Sequence, residues 1–166
     1  MATNNPKQET MTHWICKKFR ELNPDELYAI LRLRSEVFVV EQNCIFLDMD
    51  NKDQSSHHLM GWRQEEGKQH NKLLGYARIV PAGFSYVESS IGRIVTSPAA
   101  RGSGIGKDLL QQSIRTLYSL HGKRVIRIGA QYYLKKFYES FGFEQASDIY
   151  LEDGIEHIEM LLLTDL

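Results

Sequence analysis

Apolar residues recur along this chain with two periods, and the switches between them mark its elements. Trp14 to Phe19 reads as a short first strand. "NPDE", Asn23 to Glu26, starts a helix: Asn23 caps it, Pro24 takes the first helical position and Glu26 reaches back as in a capping box. Leu27, Ile30, Leu31, Arg34, Val37 and Phe38 continue at mostly helical spacing. An apolar run broken by Glu41, Gln42 and Asn43 follows, and then the polar loop "DMDNKDQSS", Asp48 to Ser56. His57 to Trp62, Leu73 to Val80 and Ser89 to Ser97 read as strands joined by short turns, so antiparallel pairing is expected.

The period then changes. A helix from about Gly104 to Leu120 carries Ile105, Leu109, Leu110, Ile114 and Leu117 on one face, and Gly122 stops it. Arg124 to Gln131 is a buried strand, and Tyr132 to Gly142 a second amphipathic helix. Two alternating runs joined by Asp153-Gly154 form a closing hairpin. The strand, helix, strand order from Ile91 to Gln131 implies a right-handed parallel crossover. The expected fold is α/β, a mixed (α+β) sheet flanked by helices, with one parallel pair bracketed by antiparallel strands. Residues 13–166 form one expected domain, and residues 1–12, polar and patternless, a disordered tail.

Composition narrows the function. The chain has 166 residues, 42% hydrophobic and 25% charged, which suits one soluble globular domain. A formal net charge of -1 excludes a nucleic-acid binder working by bulk charge. No apolar run spans a bilayer and no signal peptide is seen, so no membrane partner is expected. Cys16 and Cys44 then read as reduced thiols of a cytoplasmic protein, and neither has metal-ligand spacing. "DMDNKD" lacks the glycine and closing glutamate of a calcium loop, so it is expected to be a solvated turn.

"VTSPAARGSGIGKDLL", Val95 to Leu110, sets three glycines at alternate positions before a helix. A Walker loop fails twice, because Arg101 stands where its first glycine belongs and Asp108 replaces its Ser/Thr. A dinucleotide fingerprint fails because Lys107 or Leu109 occupies its third glycine position. What remains is R-x-x-G-x-G, Arg101, Gly104 and Gly106, between a strand and a helix. Backbone N–H groups from Gly102 to Lys107 can then face a pyrophosphate, favoured by the helix dipole.

"FYESFGF", Phe137 to Phe143, places an aromatic pair one turn before F-G-F. Together with the glycine loop it resembles the signature of the GNAT superfamily of N-acetyltransferases. "LRSEVFVVEQNC", "IGRIV", "GAQ" and "EDGIEHIEM" are similar to its ElaA-like branch, from about Trp14 to Leu163. Cys44 is followed by Ile45-Phe46 where C-P-Y is usual, and Glu156 replaces a proline before His157; both departures fall on the acceptor side. The resemblance implies that the loop residues Arg101, Gly102, Ser103, Gly104, Ile105, Gly106 and Lys107 hold the pyrophosphate of acetyl-CoA. It further implies that Ile94, Val95 and Thr96 bond the pantetheine arm, that the parallel strand after the helix splays away to leave the cofactor's gap, and that Gln131 and Phe137 also lie on the cofactor side. Coenzyme A is then the product, and a small-molecule or exposed peptide amine the acceptor. The oligomeric state stays open, a homodimer included.

Acetyl transfer needs a neutral amine, a hydrogen-bond donor for the thioester oxygen and a proton for the departing thiolate. A backbone N–H near Val95 or Thr96 suits the oxygen. Tyr138 matches the superfamily tyrosine and is the candidate acid. Glu41, His58 and His157 match family positions and are the candidates to line the acceptor cleft or accept its proton, with a water chain as the alternative. Arg34 and Arg93 are candidates to bind an acceptor carboxylate, though a charge on an apolar helix face, as at Arg34, more often pairs with an internal acid such as Glu41. Tyr132 and Tyr133 are assigned to packing. Two functions stay open: an acetyl-CoA-dependent N-acetyltransferase, or a non-catalytic acyl-CoA-binding module.

Overall fold

The computed structural model describes residues 11–64 and 71–164. The expected tail through residue 10 and the polar turn at 65–70 lie outside the described residues. One sheet contains β1 (His13–Lys18), β2 (His57–Arg63), β3 (Lys72–Val80), β4 (Ser89–Thr96), β5 (Ile126–Gln131), β6 (Phe143–Gln145), β7 (Tyr150–Glu152) and β8 (Ile155–Leu162). Its order is β1-β2-β3-β4-β5-β8-β6, with β7 also on β8. Every adjacent pair is antiparallel except β4–β5.

The helices are α1 (Pro24–Arg34), α2 (Ile105–His121) and the short α3 (Lys135–Glu139). α1 begins on the expected capping box: the Asn23 side chain accepts from Glu26 N–H at 2.8 Å, and Glu26 accepts from Asn23 N–H at 3.0 Å. Beyond Arg34 the helix widens into a π-helical stretch, Ser35–Glu41. Strand alternation sends Met60, Tyr76 and Val95 to one face, where Ile30, Leu33 and Val37 cover them. Leu59, Ala77, Ile79 and Ile91 go to the other face, against Leu109, Leu110 and Leu117 of α2.

Two features open the middle of the sheet. The parallel pair is only Ser89↔Ile126 and Ser90↔Arg127, and beyond it β4 and β5 part. β4 also carries a bulge: Tyr76 pairs with Val95 and Arg78 with Gly92, so Arg93 and Ile94 together face Ala77. Arg93 sits at φ +52°, in the left-handed region.

The loop from Asp48 to Asp53 is not the expected solvated turn. Arg34, fully buried, donates to Asp48 Oδ2 and to Asp53 Oδ1, each at 2.8 Å. Arg78 donates to Asp50 Oδ1 at 2.6 Å and to Asp53 Oδ1 at 2.9 Å. Arg93 donates to Asp48 Oδ1 at 2.7 Å and to the Asp48 carbonyl at 3.0 Å. Buried guanidinium groups require paired carboxylates, and three short loop acids supply them. Arg34 therefore pairs with Asp48 and Asp53, and Glu41 takes no part.

Two further differences are local. Tyr132–Leu134 forms a single tight turn before α3, so the second amphipathic helix is shorter than its spacing predicts. Phe143–Gln145 pairs with β8 as a short edge strand that three residues could not announce.

Candidate active site

Where β4 and β5 part, a cleft of about 460 Å³ opens. Ile94, Val95 and Thr96 line it from β4, Gln131 from the end of β5, Tyr138 from α3, and Glu41 and Arg101 from its rim. These expected residues are brought together by the splay, which no local pattern encodes.

The glycine loop ends on α2. Gly102 has φ +77° and Gly104, the N-cap, φ +88°, and a Cβ at either would strain the backbone. The backbone N–H groups of residues 102 to 106 have no acceptor among the described residues. Five consecutive free donors at a helix start form an anion cradle, and this fits a pyrophosphate. The Lys107 N–H is spent on the Gly104 carbonyl at 3.0 Å, so the expected cradle is one donor shorter. The Ile105 side chain is buried with Leu74 and Ala100, leaving only its backbone for a ligand. The Ser103 hydroxyl donates to the Ala100 carbonyl at 2.6 Å and braces the turn. The Gly106 amide and the exposed Lys107 side chain remain at the helix start.

Tyr138 is 6% exposed, with its ring edge-on to Phe137 and Phe143. Burial, reinforced by Tyr133, pushes its phenol well above the ordinary tyrosine value and keeps it protonated. Its hydroxyl makes no hydrogen bond among the described residues. Phe137 does not line the cleft. It packs against Tyr138 and Phe141, with ring centroids 5.2 and 5.5 Å away. Tyr133, expected only to pack, lines the cleft and is largely exposed.

Two expected acceptor residues are elsewhere engaged. His58 is 1% exposed and lies outside the cleft, with Nδ1 2.8 Å from the Tyr76 hydroxyl and Nε2 3.0 Å from the Asp53 carbonyl. Both nitrogens are occupied, so His58 braces the arginine–aspartate loop and is not positioned as a base. Glu41 lies at the cleft but pairs with Arg101 at 2.8 Å, on the phosphate side. Arg34 is sealed in the interior, and Arg93, which does line the cleft, is committed to Asp48. Neither arginine is available for an acceptor carboxylate.

His157 does line the cleft. Its Nδ1 lies 2.9 Å from the Ile155 carbonyl, which can only accept, so Nδ1 carries the ring proton. In the neutral ring Nε2 then holds a lone pair. Gln131 pairs opposite His157 across β5–β8, and Tyr150 opposite it across β7–β8.

Sequence reasoning missed Gln42, Phe46, Glu152 and Asp153, all of which line the cleft. Gln131 Nε2 donates to Gln42 Oε1 at 3.1 Å, and the Cys44 thiol donates to the Asp153 carbonyl at 3.3 Å. The segment after the π-helical stretch thus straps across to β5 and the β7–β8 turn. A polar run after a helix carries no signal of that destination. Among the described residues no group of three or more candidate metal ligands gathers, and no helix is long and apolar enough to cross a membrane.

The chain's similarities match this geometry. The sequence profile of the Acetyltransferase (GNAT) domain matches residues 40–164. Protein ElaA of Escherichia coli K12 is 38% identical over 152 residues, spanning 90% of this chain and 95% of the relative. The crystal structure of Escherichia coli ElaA superposes with a TM-score of 0.82 at 37% identity, covering 91% of this chain and 99% of that one. An acyl-CoA N-acyltransferase from Pseudomonas aeruginosa gives a TM-score of 0.82 at 39% identity, covering 90% and 98%.

Proposed function

Since the chain belongs to the GNAT acetyltransferase family and is therefore an acyltransferase, we propose that it transfers an acetyl group from acetyl-CoA to a primary amine by direct attack in a ternary complex. The carrying observation is the run of N–H groups from Gly102 to Gly106 without an acceptor among the described residues, directly after Arg101, which lines the cleft between the splayed β4 and β5. When bound, acetyl-CoA supplies the activated thioester. The chain's own residues do the rest. The loop amides hold pyrophosphate at the positive end of α2. Arg101 adds charge on the same side, once released from Glu41. The β4 backbone after the bulge, at Ile94 to Thr96, aligns the pantetheine arm and offers an N–H to the thioester oxygen. Tyr138, held protonated by burial, donates to the departing sulfur. Holding amine and thioester together in the cleft supplies much of the acceleration.

Two measurements test this reading. Acetyl-CoA at a hundredfold excess over its dissociation constant stabilises the native state by about 2.7 kcal/mol, so the melting temperature rises. Amines then release free thiol from acetyl-CoA catalytically. Absence of a melting shift refutes the cofactor assignment. A shift without thiol release on any amine supports the binding-module alternative.

A further inference from the structure

The acceptor end of the cleft has a one-sided charge. Register places Gln131 and Gly129 of β5, His157 and Glu159 of β8, and Tyr150 and Glu152 of β7 on one face. The Tyr86 and Tyr150 hydroxyls close over Gly129, 2.9 and 3.3 Å from where a Cβ would stand. Two arginines approach this wall and both are neutralised. Arg127 pairs with Glu88 at 2.9 Å and Glu159 at 2.7 Å, and Arg93 with Asp48 at 2.7 Å. Glu152 and Asp153 line the same cleft and have no ion pair among the described residues. Uncompensated charge here is therefore negative, and beside it stands His157 Nε2, the ring nitrogen left without a partner among the described residues when Nδ1 donates to the Ile155 carbonyl.

Resting on the transferase reading, we propose that this wall receives a cationic amine without a carboxylate near its reacting nitrogen, and that His157 is its base. Glu152 and Asp153 attract the positive charge, and the Tyr150 ring stacks against the His157 ring, with centroids 5.9 Å apart. His157 Nε2 takes one proton from the ammonium. The freed nitrogen bonds to the acetyl carbon as the carbon–sulfur bond breaks, and sulfur takes a proton from Tyr138. The nitrogen's second proton restores the phenol, and the proton on His157 leaves to water. The groups facing His157 are Tyr150 from β7 and Gln131 from β5. Glu159, farther along its own strand, is held by Arg127. Burial pushes Tyr86 up to about 12 and raises Tyr150 as well, so both phenols stay neutral in the working range.

The test uses the whole chain with 1,5-diaminopentane, pentylamine and 5-aminopentanoate as acceptors. Expected kcat/KM falls in that order, and Glu152→Gln raises KM for the doubly charged diamine about two- to fivefold, the scale of an exposed ion pair, and for the singly charged pentylamine by a smaller factor. His157→Asn keeps an N–H for the Ile155 carbonyl but has no base. It should retain the acetyl-CoA melting shift and lose about 10² to 10⁴-fold in rate at pH 7. Wild-type kcat/KM should vary less with pH than that of the variant, whose rate climbs toward the amine's own value near about 10.4. Preference for 5-aminopentanoate, or a His157→Asn variant with wild-type rate and profile, overturns the proposal while leaving the transferase reading intact. If none of the three amines releases thiol but another primary amine, such as a peptide's, does, this proposal fails and the transferase reading stands; if no amine does while acetyl-CoA still raises the melting temperature, both fail.

Discussion

Arg93 stands inside a strand at φ +52°, and its replacement by alanine and by glycine should give stabilities in an unusual order. Both variants lose the same side-chain contacts: the 2.7 and 3.0 Å hydrogen bonds to Asp48 and the approach to the Phe46 ring at 5.7 Å. Their difference is therefore a backbone difference. An L-residue with a Cβ in the left-handed region costs about 1–2 kcal/mol, and glycine escapes that cost. Glycine's greater freedom in the unfolded chain returns about 0.5–1 kcal/mol. Arg93→Gly should thus be the more stable variant by about 0.5–1 kcal/mol, or about 1–4 °C in melting temperature for a chain of this size. At an ordinary strand position the sign reverses. Urea denaturation of the two variants with a common m-value measures the difference. Because the bulge aims the β4 backbone at the cleft, Arg93→Gly should also keep more of kcat than Arg93→Ala. An alanine variant equal to or more stable than the glycine variant refutes the claim that the arginine–aspartate network holds a strained bulge.

Other expectations follow from the same geometry. Tyr138→Phe removes only a hydroxyl without a partner among the described residues, so it should fold and bind acetyl-CoA almost normally while kcat drops by about 10² to 10⁴-fold; a wild-type kcat under chemistry-limited conditions removes its role as acid. Gly104→Val forces a β-branched residue to φ +88° and obstructs the cradle, so its melting shift with acetyl-CoA should largely vanish, and an unchanged shift argues against the loop. Asp53 is held below the ordinary carboxylate range by Arg34 and Arg78, which outweigh its burial. Asp50 is similarly depressed by Arg78 and Arg93. A depressed native value contributes stability that is complete above the unfolded value near about 3.9 and is lost as pH falls through the native one. Urea midpoints should therefore decline steeply only below about pH 4, and Asp53→Asn should be weaker at pH 7 with a shallower acid decline; parallel curves contradict the coupling.

Much of this protein is legible in its residues because the signals are local. Asn23, Pro24 and Glu26 specify a helix start through bonds spanning three residues, and Asp153-Gly154 specifies a two-residue turn. The glycines at 102 and 104 are the residues for which φ near +80° is cheap, so a loop close to an anion could be read before its fold was known. Tyr138 could be placed by motif. The remainder depended on distance in space. Whether His58 or His157 reaches the cleft turns on which strand each occupies and what lies opposite it: one faces Tyr76 and Asp53 inside the protein, the other Gln131 and Tyr150 at the opening. Asp48, Asp50 and Asp53 read as solvated because a run of acids usually is. Only the sheet brings Arg34, Arg78 and Arg93, from three separate elements, to meet them. The cleft has the same origin, since it exists where β4 and β5 cease to pair, and a single strand carries no record of the partner it leaves.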